Sequence, residues 1–187
     1  MIHVSFSPGT SEALRAQFGL PCVRMSQIAT DADVMNDPYR FGKETGLAFA
    51  ARGRRRWVCM TAGDGHIEAL GFSEAARERG LPAPRLCVLG SHPLHTEAIE
   101  REVLAIVAKW KRADAFPDAI LVTDDIAMIG VARALSRAGE PGRRDLVLAT
   151  LAHEGHGVDY GMEVLRYEYA TGESARVALD LLWRHIL

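Results

Sequence analysis

The chain has 187 residues, 48% of them hydrophobic, and a formal net charge of −2. That is enough apolar material for one large domain or two small lobes, which excludes a disordered chain. The near-neutral balance argues against a protein that binds nucleic acid over its whole surface.

Taken in order, short apolar runs alternate with longer stretches of helical spacing. IHVSF reads as a strand, SEALRAQFG as a short helix closed by Gly19, and PCVRM as a second strand. DPYRFGKETGLAFAAR then has Asp37 where an N-cap belongs and Pro38 at the first helical position. Gly53 ends that helix, and RWVCMTA is a strand. HIEALGFSEAARERG is a helix stopped by Gly80, and RLCVLG is the next strand. HTEAIEREVLAIVAKWKRA carries Ile99, Val103, Ile106, Val107 and Trp110 on one face. AILVT is a strand, DIAMIGVARALSRAG a helix, DLVLATL a strand and VLRYEY another, before a closing helix ESARVALDLLWRHIL. This alternation predicts an α/β protein with mainly parallel sheet and helices on both faces.

Cys22, Cys59 and Cys87 each sit inside an apolar run, and none forms a C-x-x-C pair. They are expected to be buried thiols in a reducing compartment. No run is long and apolar enough to span a membrane, and the amino terminus lacks the order of a signal peptide, so a cytoplasmic protein is expected. The basic run Arg52 to Arg56, RGRRR, is short and has no interleaved aromatics, and it reads as a solvated helix end.

Asp124 and Asp125 stand side by side after AILVT, at the carboxyl end of a strand and the start of a helix. Ligands of parallel α/β sheets gather outside such strand ends. Free N–H groups and the macrodipole favour carboxylates at the same place. One aspartate can therefore cap the helix while the other faces a ligand, or both can serve only as caps.

PDAILVTDDIAMIGVARALSRAG, followed by DLVLATL, resembles the effector-binding core of the lactose-repressor/galactose-repressor (LacI/GalR) family of transcription regulators. The match runs through Pro117, Asp118, Ala119, Ile120, Asp125, Ala127, Gly130, Ala134, Leu135 and Gly139. LPCVRMS, NDPYRFGKETGLAFAARGRRRWVCM and EALGFSEAARERGL resemble further family segments in the same order. The resemblance implies a periplasmic-binding-protein-like type I fold of two lobes, a small-molecule effector in a cleft, and a homodimer. It implies neither catalysis nor a cofactor. The family's helix-turn-helix headpiece and the start of its first lobe have no counterpart in these residues. The expectation is an incomplete first lobe, with DNA bound only through a headpiece absent from this chain. The first lobe is expected to hold residues 1–60 and part of the carboxyl-terminal crossover, and the second mainly residues 61–187.

The pocket residues depart from the family pattern. Aligned on Gly71 and Phe72, the family's sugar-binding arginine falls on Glu68, and a strand-end aspartate falls on Ser26. Another aspartate falls on Ala152, beside His153. The implied ligand set is Ser26, Asp64, Glu68, Asp124, Asp125 and His153. Carboxylates only accept hydrogen bonds, so a cationic or donor-rich effector is expected rather than an anionic one.

His153, Glu154, His156 and Asp159 in LAHEGHGVDYG invite a metal reading. The spacing is not that of a metalloprotease helix, and the glycines oppose a helix, so no metal is expected. Two other functions fit less well. One is a stand-alone solute-binding protein of the same fold. The other is a metal-dependent α/β hydrolase using His153, Glu154 and Asp124, for which no nucleophile is evident.

Overall fold

A computed structural model describes residues 2–4, 16–17, 19, 23–26, 33–62, 67–139, 146–155 and 157–186. In chain order the described elements are β1 (Ile2–Val4), β2 (Val23–Ser26), β3 (Val34–Met35), α1 (Pro38–Ala51), β4 (Trp57–Ala62), α2 (Ile67–Glu78), β5 (Arg85–Leu89), α3 (Thr96–Arg112), β6 (Ala119–Val122), α4 (Asp125–Arg137), β7 (Val147–His153), β8 (Leu165–Tyr169) and α5 (Thr171–Ile186). The expected strand–helix alternation is thus present from Pro38 onward. The helix expected over residues 11–19 falls mostly outside the described residues, and β3 was not anticipated.

The chain forms two compact units, residues 1–38 with 169–187, and residues 39–168. The first holds a three-stranded sheet in the order β1-β2-β3, with both pairings parallel. Helix α5 packs on it, burying Ala178, and Ser174 Oγ lies 3.5 Å from Asn36 Oδ1.

The second unit holds a five-stranded sheet in the order β5-β4-β6-β7-β8. Pairings β4–β5, β4–β6 and β6–β7 are parallel. Alternate residues of each central strand enter opposite cores, as strands covered on both faces require. Val58, Met60, Ile120, Val122 and Leu148 pack under α3 and α4 with Ile99, Val103, Val107, Met128, Val131 and Leu135. Trp57, Cys59, Ala119, Leu121 and Ala149 pack under α1 and α2 with Phe41, Phe49, Phe72, Ala75 and Ala76. Phe49 and Phe72 are wholly buried, each contributing roughly 1.5–3 kcal/mol by area.

This second core explains why the first unit ends at residue 38 rather than at 60. The Phe72 ring centroid lies 5.1 Å from that of Trp57 and 5.8 Å from that of Phe49. Helix α1 therefore cannot leave the core that β4 and α2 build. At the other end, residues 169–187 rejoin β1–β3 through the packing of α5.

Three glycines of the quoted motifs mark helix crossings. A Cβ on Gly42 would lie 1.9 Å from the Glu68 carbonyl oxygen, and one on Gly71 would lie 2.0 Å from that of Tyr39. Helices α1 and α2 thus meet backbone to backbone. Gly130 does the same for α4, its Cβ position being 2.6 Å from the Thr96 carbonyl oxygen on α3.

Asp118, another motif residue, has a structural task. Its carboxylate accepts from the Arg56 amide at 2.8 Å and from the Arg55 amide at 3.0 and 3.1 Å. It pins the turn that feeds β4 beside the start of β6.

Cys59 is buried and Cys87 half-buried, while Cys22 lies outside the described residues. Register pairs Cys59 with Leu86 and Cys87 with Met60, so the two thiols enter opposite cores and cannot bridge. Burial, with smaller additions from Glu68 and Cys87, pushes the Cys59 thiol far above its usual range.

Candidate ligand-binding site

The strand order of the second unit defines where a ligand belongs. From β4 the chain passes to β5 on one side, then returns through α3 to β6 on the other side of β4. The connections therefore diverge between the carboxyl ends of β4 and β6. Doubly wound sheets of this order bind ligands in the crevice at that switch point.

Two of the sequence-derived carboxylates follow β6 at this place. Asp124 has extended backbone, φ −135° and ψ 130°, and precedes α4 as its N-cap. Its Oδ1 accepts from the Ala127 amide at 2.8 Å. Asp124 is thus the capping member of the pair, while Asp125 is the first helical residue. Burial raises the Asp124 carboxyl above the usual aspartate range. The Ala127 amide opposes that rise, and the Asp125 charge adds to it.

Asp125 is only 6% exposed, and its Oδ2 lies 3.7 Å from His153 Nδ1. Sheet register explains the encounter. Val122 pairs with Thr150, and Asp125 and His153 each follow three residues later on neighbouring strand ends. His153 is the last residue of β7, with its side chain 39% exposed.

Glu68 lies in the first turn of α2, the helix that follows β4, and is 8% exposed. Its electrostatic influence reaches Cys59 beneath it. Glu68 therefore belongs to the strand end adjoining that of Asp124 and Asp125. Ser26 is the last residue of β2 in the first unit. Asp64 lies outside the described residues.

Sequence reasoning missed Tyr160. Its hydroxyl is buried and has no hydrogen-bond partner among the described residues. Burial raises its phenol pKa first, and Asp125 raises it next, which places Tyr160 within electrostatic range of the carboxylates. The signal was available only as proximity in sequence: Tyr160 follows His153 by one short glycine-rich loop.

Glu154 is exposed, and Asp159 accepts from the Gly161 amide at 2.8 Å. His156 lies outside the described residues. Among the described residues no three His, Cys, Asp or Glu side chains come together as a metal site.

The arrangement offers buried carboxylates, an imidazole and a phenol at the mouth of a parallel sheet. It can accept hydrogen bonds from donors and compensate positive charge.

No family profile matches this chain, and no curated protein matches it in sequence. Solved structures do match it in fold. A regulatory protein of the LacI family from Chloroflexus aggregans superposes with a TM-score of 0.76 at 19% identity, covering 97% of this chain and 66% of that one. A LacI-family transcriptional regulator from Enterococcus faecium with bound ribose gives 0.75 at 15% identity, covering 99% and 70%. The Cra transcriptional dual regulator from Pseudomonas putida, in complex with fructose 1-phosphate, gives 0.72 at 19% identity, covering 97% and 68%. The chain thus spans about two thirds of the length of each of these proteins. Its described residues have the periplasmic-binding-protein-like type I α/β fold found in LacI-family transcriptional regulators.

Proposed function

We propose that this chain is the small-molecule effector-binding and dimerisation core of a LacI/GalR-type transcriptional regulator and catalyses no reaction. The observation that carries this reading is the fold match over nearly the whole chain to regulators, two of them solved with a sugar or sugar phosphate bound. The carboxylates at the switch point agree with it, since ligands of this strand order bind there.

Glu68, Asp124, Asp125 and His153 are the proposed ligand contacts, with Tyr160 beside them. Three carboxylates in this set, with the nearby Arg166 charge engaged by Glu168 at 3.1 Å, favour a cationic or donor-rich effector such as an amine, a polyol or a nucleoside. Each donor satisfied in so buried a place replaces water that the carboxylates have already lost. Regulation follows if the effector binds one conformation of the core more tightly than another, shifting their populations.

The test is a thermal-shift screen of the purified chain against sugars, polyols, amines, nucleosides, carboxylates and sugar phosphates. A ligand of the native state raises the melting temperature by mass action. Hits among amines, polyols or nucleosides, lost in Asp125→Asn, support the assignment. Tight binding of carboxylates or sugar phosphates alone would overturn the charge argument. A silent screen combined with a monomer in sedimentation velocity would overturn the regulator reading.

A further inference from the structure

The opposite edge of the same sheet has the opposite electrical character. In a parallel α/β unit every helix ends where the next strand begins, so helix carboxyl termini and strand amino termini share one edge. Arg52, Arg55, Arg56, Arg79, Arg85 and Arg112 all belong to that edge and are all exposed. In the sequence they are scattered over several segments, and only RGRRR stands out.

The contacts fix their common location. Asp118 holds the amides of Arg55 and Arg56 directly before β4, and Val58 of β4 pairs with Arg85. Arg85 Nη2 donates to the Ala115 carbonyl at 2.7 Å, just beyond the end of α3, and its guanidinium lies 5.4 Å from the Trp110 ring centroid. Among the described residues the acids near these six arginines are fewer: Asp118, held by the two amides, Glu78, paired with Lys43 at 2.8 Å, and Asp114.

Cations in a last helical turn also complement the macrodipole, which accounts for Arg112. It does not account for Arg55, Arg56 and Arg85, which lie outside the helices. The chemistry of the edge narrows the partner. Trp57, Trp110 and Phe116, its aromatic residues, are 3%, 6% and 4% exposed, so no ring is offered for stacking unpaired bases. The exposed apolar residues Leu86 and Val88 lie further along β5, so the arginines have no aromatic anchor of the kind protein interfaces use. Guanidinium forks without stacking platforms suit rows of phosphates. The arginines come from the starts of β4 and β5 and the ends of α1, α2 and α3, a spread that can meet several phosphates of a duplex.

We propose that the strand-amino-terminal edge of the second unit is a sequence-independent docking surface for the phosphate backbone of double-stranded DNA.

The experiment is fluorescence anisotropy of the 187-residue chain with a labelled duplex of random sequence, titrated at several salt concentrations. With about four phosphates contacted, affinity falls roughly 150-fold between 50 and 200 mM salt. The variant Arg55→Gln/Arg56→Gln/Arg112→Gln should flatten that fall to roughly 3- to 4-fold. Arg55→Lys/Arg56→Lys/Arg112→Lys should keep most of the slope, and Arg52→Gln/Arg79→Gln, on the same edge, should flatten it by a smaller step. Far-ultraviolet circular dichroism checks that each variant is folded. Absence of binding at the lowest salt, or an unchanged slope in the glutamine variant, overturns the proposal. Equal binding to polyglutamate assigns the edge to an acidic protein instead, and tighter binding to a single strand than to the duplex assigns it to unpaired nucleic acid.

Discussion

Replacing Gly71 by alanine tests how the candidate site is held in place. The new Cβ would lie 2.0 Å from the Tyr39 carbonyl oxygen, 2.9 Å from the Tyr39 carbonyl carbon and 3.0 Å from the Lys43 nitrogen. All three are backbone atoms of α1, so no side-chain rotation relieves the clash. Carbon–oxygen contacts settle at roughly 3.3–3.6 Å, so α2 must withdraw by about 1.4 Å. A gap of that size forfeits about half or more of the dispersion energy of each contact it opens. The layer concerned contains Phe41, Phe49, Phe72, Ala75 and Ala76. We expect a loss of about 3 kcal/mol, the upper end of the overpacking range. Urea unfolding followed by tryptophan fluorescence reads it, since Trp57 stacks on Phe72 in this layer. Gly172→Ala is the control: nothing lies within 4 Å of its Cβ position in α5, and stability should hold or rise by up to about 1 kcal/mol. Because Gly42 abuts the Glu68 carbonyl in the same crossing, the displacement also carries Glu68 away from the strand ends and should weaken effector binding. Gly71→Ala within about 0.5 kcal/mol of the parent would refute the view that this crossing is rigid.

Two aspartates give sharper contrasts. Asp124→Ala removes the acceptor for the Ala127 amide and should cost about 1 kcal/mol, whereas Asp124→Asn keeps the cap. The Asp124 carboxyl is raised in the folded protein, chiefly by burial, so the native state binds its proton more tightly than the unfolded chain. Its contribution to stability is then largest in acid and falls as pH rises from the ordinary aspartate range through the folded pKa. Asp124→Asn should remove that decline and be at least as stable as the parent at neutral pH; urea midpoints across the acid limb decide, and an asparagine variant weaker by the full alanine cost would contradict the assignment. Asp118→Ala deletes charge-assisted bonds to the Arg55 and Arg56 amides and should cost about 1.5 kcal/mol, part of it recovered by asparagine. Equal urea midpoints for the alanine variant and the parent would mean that the turn before β4 needs no pin.

The alternation of elements was legible because strands covered on both faces must be apolar along their length, while each helix needs only one apolar stripe. AILV and WVCMTA declared themselves in this way, and Gly53 and Gly80 closed helices at positive φ. The unit boundary was not legible. Nothing in DPYRFGKETGLAFAAR states that Phe49 will meet Phe72, a contact that exists only after α1 and α2 cross. Gly42, Gly71 and Gly130 were visible as motif letters, but their cause, a carbonyl of another helix where a Cβ would be, requires coordinates. The aspartate pair was half legible. The helix start could be placed, which makes Asp124 the cap, yet the partner of Asp125 is His153 from a different strand, brought there by register. Tyr160 belongs to an irregular stretch with no periodicity, so neither period nor motif could have marked it.

The two edges of the second unit follow from a single cause. Parallel βα units put helix amino termini and strand carboxyl ends together, and helix carboxyl termini with strand amino ends. The first kind of edge favours carboxylates, and here it holds Glu68, Asp124 and Asp125. The second favours cations, and here it holds exposed arginines from several elements. Net charge therefore understates what the chain can bind, because a total of −2 over the whole chain averages out two edges of opposite character. That separation also makes the two proposals independent. Neutralising Arg55, Arg56 and Arg112 leaves the carboxylate edge intact, so effector binding should survive while the salt slope collapses. Asp125→Asn should do the reverse. If either substitution abolished both activities without unfolding the chain, the edges would not be separate surfaces, and assigning one ligand class to each would fail.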